Sequence, residues 1–301
     1  MNYNPGPTAP PAHTLLPAGA LLVAAFVWGV IWYPYRLLEA AGVSGSLATL
    51  ATYAVALAVS LPFFVKQTLA YRHRWRGLLA VALASGWTNL AYVLAVLHGE
   101  VMRVMLLFYL APLWTVIFAR LLLGERPHLL GYLVIALALT GAVTMLYPGD
   151  GRLPLPANAA EWLGLSAGLG FALANVLSRR VGDIPVGVRS LWVYAGVLVI
   201  AVFPVLEEGG ALPALNGLDT LDWGLVTVIG LALMVATLTV QYGLAHTPAM
   251  RAIVILLTEL LAAGLSSWWL AGEVMGLRDW LGGALIVAAS LLSGKMAYKG
   301  G

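Results

Sequence analysis

Glu259 is the acidic side chain that sits half-way along an unbroken apolar run, and no other Asp or Glu lies so near the centre of one. A charge at that depth costs about 2.5–3.5 kcal/mol on insertion scales, so the carboxyl needs a cavity or a partner. Two chemistries use such a group. It can hold an ammonium, or it can take up and release a proton. The structural alternative is a hydrogen bond to a neighbouring helix. Ile255, Leu256, Ala262 and Ala263 share its helical face, with Ser266 further along. The small residues leave room for a cavity or for close helix contact.

Polar stripes accompany it. Ser85, Thr88, Asn89 and Tyr92 fall on one face at helical spacing, Thr237, Gln241 and Tyr242 on another, and Ser166, Asn175 and Ser178 on a third. Turned toward lipid, these groups would waste their hydrogen bonds, so the faces point inward, as cavity lining or as interhelical hydrogen bonds. Most of the 11 Trp and 12 Tyr belong to interfacial belts. Trp28, Trp32 and Tyr35 instead follow i, i+4, i+7, and Tyr109 and Trp114 flank Pro112. Trp28, Trp87, Tyr92, Tyr109 and Trp114 lie deep enough to stack on a planar solute or touch its ammonium. Pro112 frees the carbonyl of Phe108 and Pro34 that of Val30, making each a hinge, a coordinating carbonyl or a static kink. The solute-binding candidates are therefore Trp28, Trp32, Ser85, Asn89, Tyr92, Tyr109, Trp114, Asn175, Thr237, Gln241 and Glu259, with Pro34 and Pro112 as hinge or kink positions. His98, His246, Arg103 and Arg251 stand near run ends and read as interfacial, Arg103 being also a candidate for a solute carboxylate at the outer mouth. The chain has no Cys, and no metal-ligand spacing, GxSxG elbow, phosphate loop or dinucleotide fingerprint. No cofactor and no metal is expected.

These residues are carried on elements built for a bilayer. Hydrophobic residues make up 61% of the 301 and charged residues 10%, against roughly 25% charged in globular domains. Mean hydropathy is +0.91. So few charges cannot cover a water-facing surface, which excludes soluble, disordered and fibrous classes. Net charge is +3, but the bases sit between apolar runs, where they orient a membrane protein rather than bind nucleic acid. The runs are about 17–28 residues long, enough for a helix to cross about 30 Å of hydrocarbon. They predict ten helices, over 15–38, 44–64, 77–97, 101–122, 129–147, 160–179, 186–206, 221–244, 250–270 and 279–297. Residues 1–13 read as a disordered cytoplasmic tail without a basic leader. The period-two alternation of barrel strands is absent.

The chain also repeats. Residues 98–125 and 246–273, offset by 148, are identical at seven of 28 positions: His98/His246, Met102/Met250, Arg103/Arg251, Leu113/Leu261, Leu122/Leu270, Gly124/Gly272 and Glu125/Glu273. The chain divides into five-helix halves, 14–149 and 158–300, forming one membrane domain. Five is odd, so the second half enters the membrane upside down. Inverted repeats are a mark of secondary transporters, whose solute sites lie near the midplane between the halves.

Trp28-Gly29 followed by Arg36, Pro112 inside the fourth helix, and the helix-ending Gly124-Glu125-Arg126 with its counterpart Ala271-Gly272-Glu273 carry a resemblance over nearly the whole chain. The pattern resembles the ten-helix drug/metabolite transporter superfamily of two EamA-type repeats, and within it bacterial exporters of amino acids, including aromatic ones. It departs at Leu260, which stands where Pro112 stands in the first half. The resemblance implies an all-α inner-membrane exporter working by alternating access, with a cavity lined mainly by helices 1, 3, 4, 6, 8 and 9. Its partners would be small solutes, first of all amino acids, then membrane lipid and protons. Drug-like cations or nucleotide sugars are the alternative solutes. A membrane enzyme would need a nucleophile and a base at one depth, which Ser85 or Ser266 with His98 or His246 does not provide. A passive channel would need a continuous polar pore.

Orientation follows from Lys and Arg. With the N-terminus in the cytoplasm, Lys66, Arg72, Arg74, Arg76, Arg120, Arg126, Arg179, Arg180, Arg189, Arg251, Lys295 and Lys299 lie inside, and Arg36, Arg103, Arg152 and Arg278 outside, 12 against 4 of the 16. Reporter fusions at Gly209 should therefore read outside and at Arg74 inside. The same side for both refutes the ten-helix topology.

Overall fold

The computed structural model describes residues 15–124, 129–147, 155–209, 217–247, 252 and 255–297. Among them the regular structure is entirely helical: α1 (Leu15–Val30), α2 (Trp32–Ala40), α3 (Gly45–Ala70), α4 (Trp75–His98), α5 (Val101–Phe108), α6 (Ala111–Leu123), α7 (Leu129–Leu146), α8 (Ala159–Arg180), α9 (Val186–Glu207), α10 (Thr220–His246), α11 (Thr258–Ala271) and α12 (Leu277–Ala297). These make ten helical segments, with α1–α2 and α5–α6 each forming one. Among the described residues, eight of the ten are long and apolar enough to cross a membrane. α11 is shorter, at 14 residues. Glu125, Arg126 and Arg251 lie outside the described residues.

Three segments are interrupted rather than merely kinked. Pro34 is the third residue of α2 and Pro112 the second of α6, within the first turn, where a helix has no acceptor for N–H groups and proline is tolerated. The breaks therefore fall ahead of the prolines, at Ile31 and at Tyr109–Leu110. The ninth segment, expected as one helix over 250–270, is also divided: Ile255 and Leu256 are helical, Leu257 is a turn, and α11 starts at Thr258. Leu257 is the counterpart of Tyr109 at the offset of 148. The interruption thus recurs without a proline. α3 in turn runs through Pro62 to Ala70, past the expected end at 64, because the helix continues after its apolar stretch gives way to Lys66-Gln67-Thr68.

Packing between the halves is reciprocal. α1 lies on α10 and α11, just as α8 lies on α4 and on α5–α6; α3 meets α9 and α10, as α9 meets α3 and α4; α7 pairs with α12. The ion pairs described lie at the helix ends. At one end Arg103 Nε lies 2.9 Å from Glu161 and its Nη1 3.3 Å from Asp279. Arg36, Glu39, His98, Glu273 and Arg278 pair there too, and the Ser44 hydroxyl donates to Glu208. At the other end Arg74 bonds Asp183 at 2.8 Å and holds that carboxyl below its usual range. Arg72, Arg76, Arg120 and Arg180 share that basic end.

The tightest approach is between α4 and α9. A Cβ on Gly196 would lie 2.1 Å from the carbonyl oxygen of Ala82, and one on Gly86 would lie 2.5 Å from that of Gly196. Both obstacles are backbone, which has no rotamer to yield. Alanine elsewhere in a helix gains up to about 1 kcal/mol over glycine, but overpacking costs about 1–3 kcal/mol. Gly196→Ala should therefore lower the thermal midpoint in detergent. Gly19→Ala, with nothing within 4 Å, should leave it unchanged or raise it. Equal behaviour of the two variants would refute the close crossing.

Candidate functional site

The interruption before α11 puts Glu259 at the second position of a new helix, deep in the bundle. α1 crosses α11 at this point, since a Cβ on Gly29 would lie 2.7 Å from the carbonyl oxygen of Glu259. The absence of a side chain at Gly29 lets the α1 backbone rest against the carboxyl-bearing turn.

Tyr109, at the matching interruption of the first half, supplies the partner. Its Oη lies 3.1 Å from Glu259 Oε2 and 3.2 Å from the carbonyl oxygen of Leu256. Leu260 N bonds Leu257 O at 3.1 Å instead of the Leu256 carbonyl a regular turn would use, so that carbonyl is free for Tyr109. One hydroxyl proton faces two acceptors. With Glu259 ionised, the proton points at the carboxylate. With Glu259 protonated, the carboxyl can donate to Tyr109 Oη while Tyr109 donates to Leu256. Both protonation states have a consistent hydrogen-bond arrangement, which lets the group titrate without disrupting the helix break.

Aromatic rings extend from this pair. Phe108 lies 5.9 Å from Tyr109, 5.8 Å from Tyr92 and 5.2 Å from Phe171, and Tyr92 lies 6.1 Å edge-on from Trp28. The Tyr92 hydroxyl donates toward the Trp28 carbonyl and Met105 Sδ, both at 3.2 Å. Trp28, Tyr92, Phe108 and Tyr109 thus form one wall contributed by α1, α4 and the α5–α6 corner. A carboxylate beside such a wall suits a solute with an ammonium and an aromatic or apolar body.

The other candidates are held elsewhere. Trp32 is 1% exposed. Its Nε1 donates to Ser266 Oγ at 3.0 Å and Arg36 caps its ring at 4.8 Å, so it ties α2 to α11. Asn89 donates to the Ser85 carbonyl at 2.7 Å and accepts from Tyr53. Thr237 stands with Ser60 and Ser190 around the Tyr194 hydroxyl. Trp114, Asn175 and Gln241 are half-buried, the Trp114 Nε1 without a partner. No hydrogen bond or ring contact among the described residues joins those three to Glu259. Trp87 is 42% exposed and makes no ring contact with the wall among the described residues. His98 and His246 each bond the carbonyl four residues before them at 2.8 Å. Arg103 is occupied by Glu161 and Asp279.

Phe108, Phe171, Tyr53 and Tyr194 are the residues that sequence reasoning missed. For Tyr53 a signal existed: Thr49, Tyr53, Ala56 and Ser60 make an i, i+4, i+7, i+11 stripe. Phe171 carried none.

Losing a donor to a buried acceptor costs about 1–3 kcal/mol, so Tyr109→Phe should lower the thermal midpoint. Because each change removes the same bond, Tyr109→Phe with Glu259→Ala should cost less than the sum of the single changes. Simple additivity would show that the two groups do not interact.

The chain matches the EamA-like transporter family over residues 16–147 and again over 158–294. It is 28% identical over 221 residues to an uncharacterized transporter of Archaeoglobus fulgidus, covering 72% of this chain and 76% of the relative. A protein of known crystal structure superposes on 94% of this chain and 98% of its own with a TM-score of 0.61. At 18% identity that likeness speaks to the fold. Matched twice over, across nearly its whole length, the chain belongs to the EamA-like transporter family and carries two of its repeats.

Proposed function

We propose that this multi-pass EamA-family transporter of small solutes is a secondary transporter that exports amino acids, aromatic ones included, by alternating access. The observation that carries the reading is the bond from Tyr109 to Glu259, 150 residues apart. It joins the interrupted helix of one repeat to that of the other at the depth where a solute must be passed between the two sides. The solute ammonium takes the place of the Tyr109 proton on Glu259, and its ring lies against Trp28, Tyr92 and Phe108. Trp114, Asn175 and Gln241, half-buried, line the path on either side, and Pro34 and Pro112 mark the hinges. Protonation of Glu259 couples export to the proton gradient.

The ten-span, inverted arrangement has its support in the helix ends. Each polar contact described for the ends joins ends that an alternating path brings to one side: Arg36 with Glu273, Arg103 with Glu161 and Asp279, Arg278 with the Tyr147 carbonyl, and Arg74 with Asp183. The basic end faces the cytoplasm of a bacterial inner membrane, with both termini inside. A second reading, an aromatic cation without a carboxylate, is favoured by one observation: Arg103, the candidate for a carboxylate, is engaged by two acids.

The test is flux of labelled amino acids in proteoliposomes, with competition by amines and organic cations. Saturable amino-acid flux is expected, and its absence refutes the substrate assignment. In Glu259→Gln, which neither titrates nor offers a charge to the ammonium, flux driven by a pH gradient should be lost and counterflow at equal pH weakened. Counterflow that survives unchanged leaves Glu259 the coupling proton and takes the solute ammonium from it. Normal transport in both removes it from the site.

A further inference from the structure

The end of the bundle that carries the acids is closed by a device separate from the Glu259 site. Arg36, on α2, and Glu273, just after α11, belong to the group of helices formed by α1, α2, α10 and α11. Both reach across to the corner between α4 and α5, which belongs to the facing group. Arg36 Nε and Nη2 donate to the Val96 carbonyl at 3.1 and 2.9 Å, and Nη2 donates to the Gly99 carbonyl at 2.8 Å. Glu273 accepts from Val101 N at 3.0 Å and Met102 N at 3.3 Å. The two charges lie 3.6 Å apart. Each is matched to the helix end it grips: a cation on the C-terminal carbonyls of α4, a carboxylate on the first free amides of α5. Glu39 and His98 add a third contact between the same groups, at 3.4 Å.

α2 and the end of α11 meet α4 and α5 at this end, while α3 joins α9 and α10 along the bundle. α2 packs on α4 and α5 packs on α11, and these are the halves of the interrupted segments lying toward the acids. Their other halves, α1 and α6, pack chiefly beside their own group: α1 on α10 and α11, α6 on α7 and α8.

We infer that Arg36 and Glu273 form the latch that closes the acidic mouth of the solute path, and that both let go of the α4–α5 corner when that mouth opens. The inference rests on the alternating-access reading. A double cap suits the task. Its groups sit at the membrane boundary, where water can replace every released partner, so the latch can open at a cost that a hydrocarbon-buried pair would not permit. The ion pair holds the two side chains together, so neither cap has to be rebuilt alone.

The chain contains no Cys, so single cysteines report cleanly. Met102 is 9% exposed and lies in the α5–α11 seam, its Sδ 3.4 Å from where a Cβ on Gly264 would be. In oriented proteoliposomes, Met102→Cys should react slowly with an impermeant thiol reagent added from the acidic side. Adding Arg36→Gln or Glu273→Gln should speed that reaction by at least about five-fold, the low end of coupling between two states. Monodisperse elution and a retained thermal transition show that each variant is folded. Oxidising Met102→Cys with Gly264→Cys should stop flux, and a reductant should restore it. Unchanged labelling in both Gln variants overturns the latch, as does undiminished flux through the bridged protein. The labelling arm needs no flux: if the parent protein shows none, the transport reading fails and labelling still decides the latch.

Discussion

A backbone carbonyl released inside hydrocarbon has no water to turn to, and that constraint organises the centre of this molecule. The helices break at Ile31, Tyr109–Leu110 and Leu257. The carbonyls beside the breaks are met by side chains from other segments: Trp28 O by Tyr92, Gly29 O by Ser266 and Leu256 O by Tyr109. The same hydroxyls that make broken helices tolerable therefore line the place where the breaks meet. Glu259 stands on that ground. Its position at the start of α11 follows from the break, and its partner Tyr109 follows from the break opposite.

The aromatic wall answers a second demand. Helix ends opened in the membrane need shape as well as hydrogen bonds, and rings supply bulk that packs edge to face without adding polar atoms to satisfy. Tyr92 and Tyr109 serve both needs, with a ring in the wall and a hydroxyl on a carbonyl. Trp32 serves a structural need alone, between Ser266 and the Arg36 guanidinium.

Much of this was legible in the sequence. The depth of Glu259, the ten segments and the repeat at 148 are composition and spacing, which a bilayer constrains tightly. Helical period also put Trp28 and Tyr92 on inward faces, and depth beside Pro112 singled out Tyr109. It did not say which inward face meets which, so Trp32 and Asn89 read the same as Trp28 until Ser266 and Tyr53 were seen to hold them. The break at Leu257 left no mark, because the residue that signals a break in the first half, Pro112, is replaced by Leu260. There the turn is held by Tyr109 from the other repeat, and no local rule reads a bond 150 residues long. The grip of Arg36 and Glu273 was equally silent. Charges near run ends look interfacial, and only the fold shows that they cap helices of the opposite group.

The crossing of α4 and α9 at Gly86 and Gly196 has a mechanical meaning. Two surfaces separated by side chains can creep past one another as rotamers flip. Here backbone rests on backbone, and the same holds for Gly141 against Gly282 between α7 and α12. Such contacts behave as bearings: they resist sliding and permit tilting about the point of touch. Under the proposed alternating access, swinging helices need fixed points, and these two glycine seams would supply them.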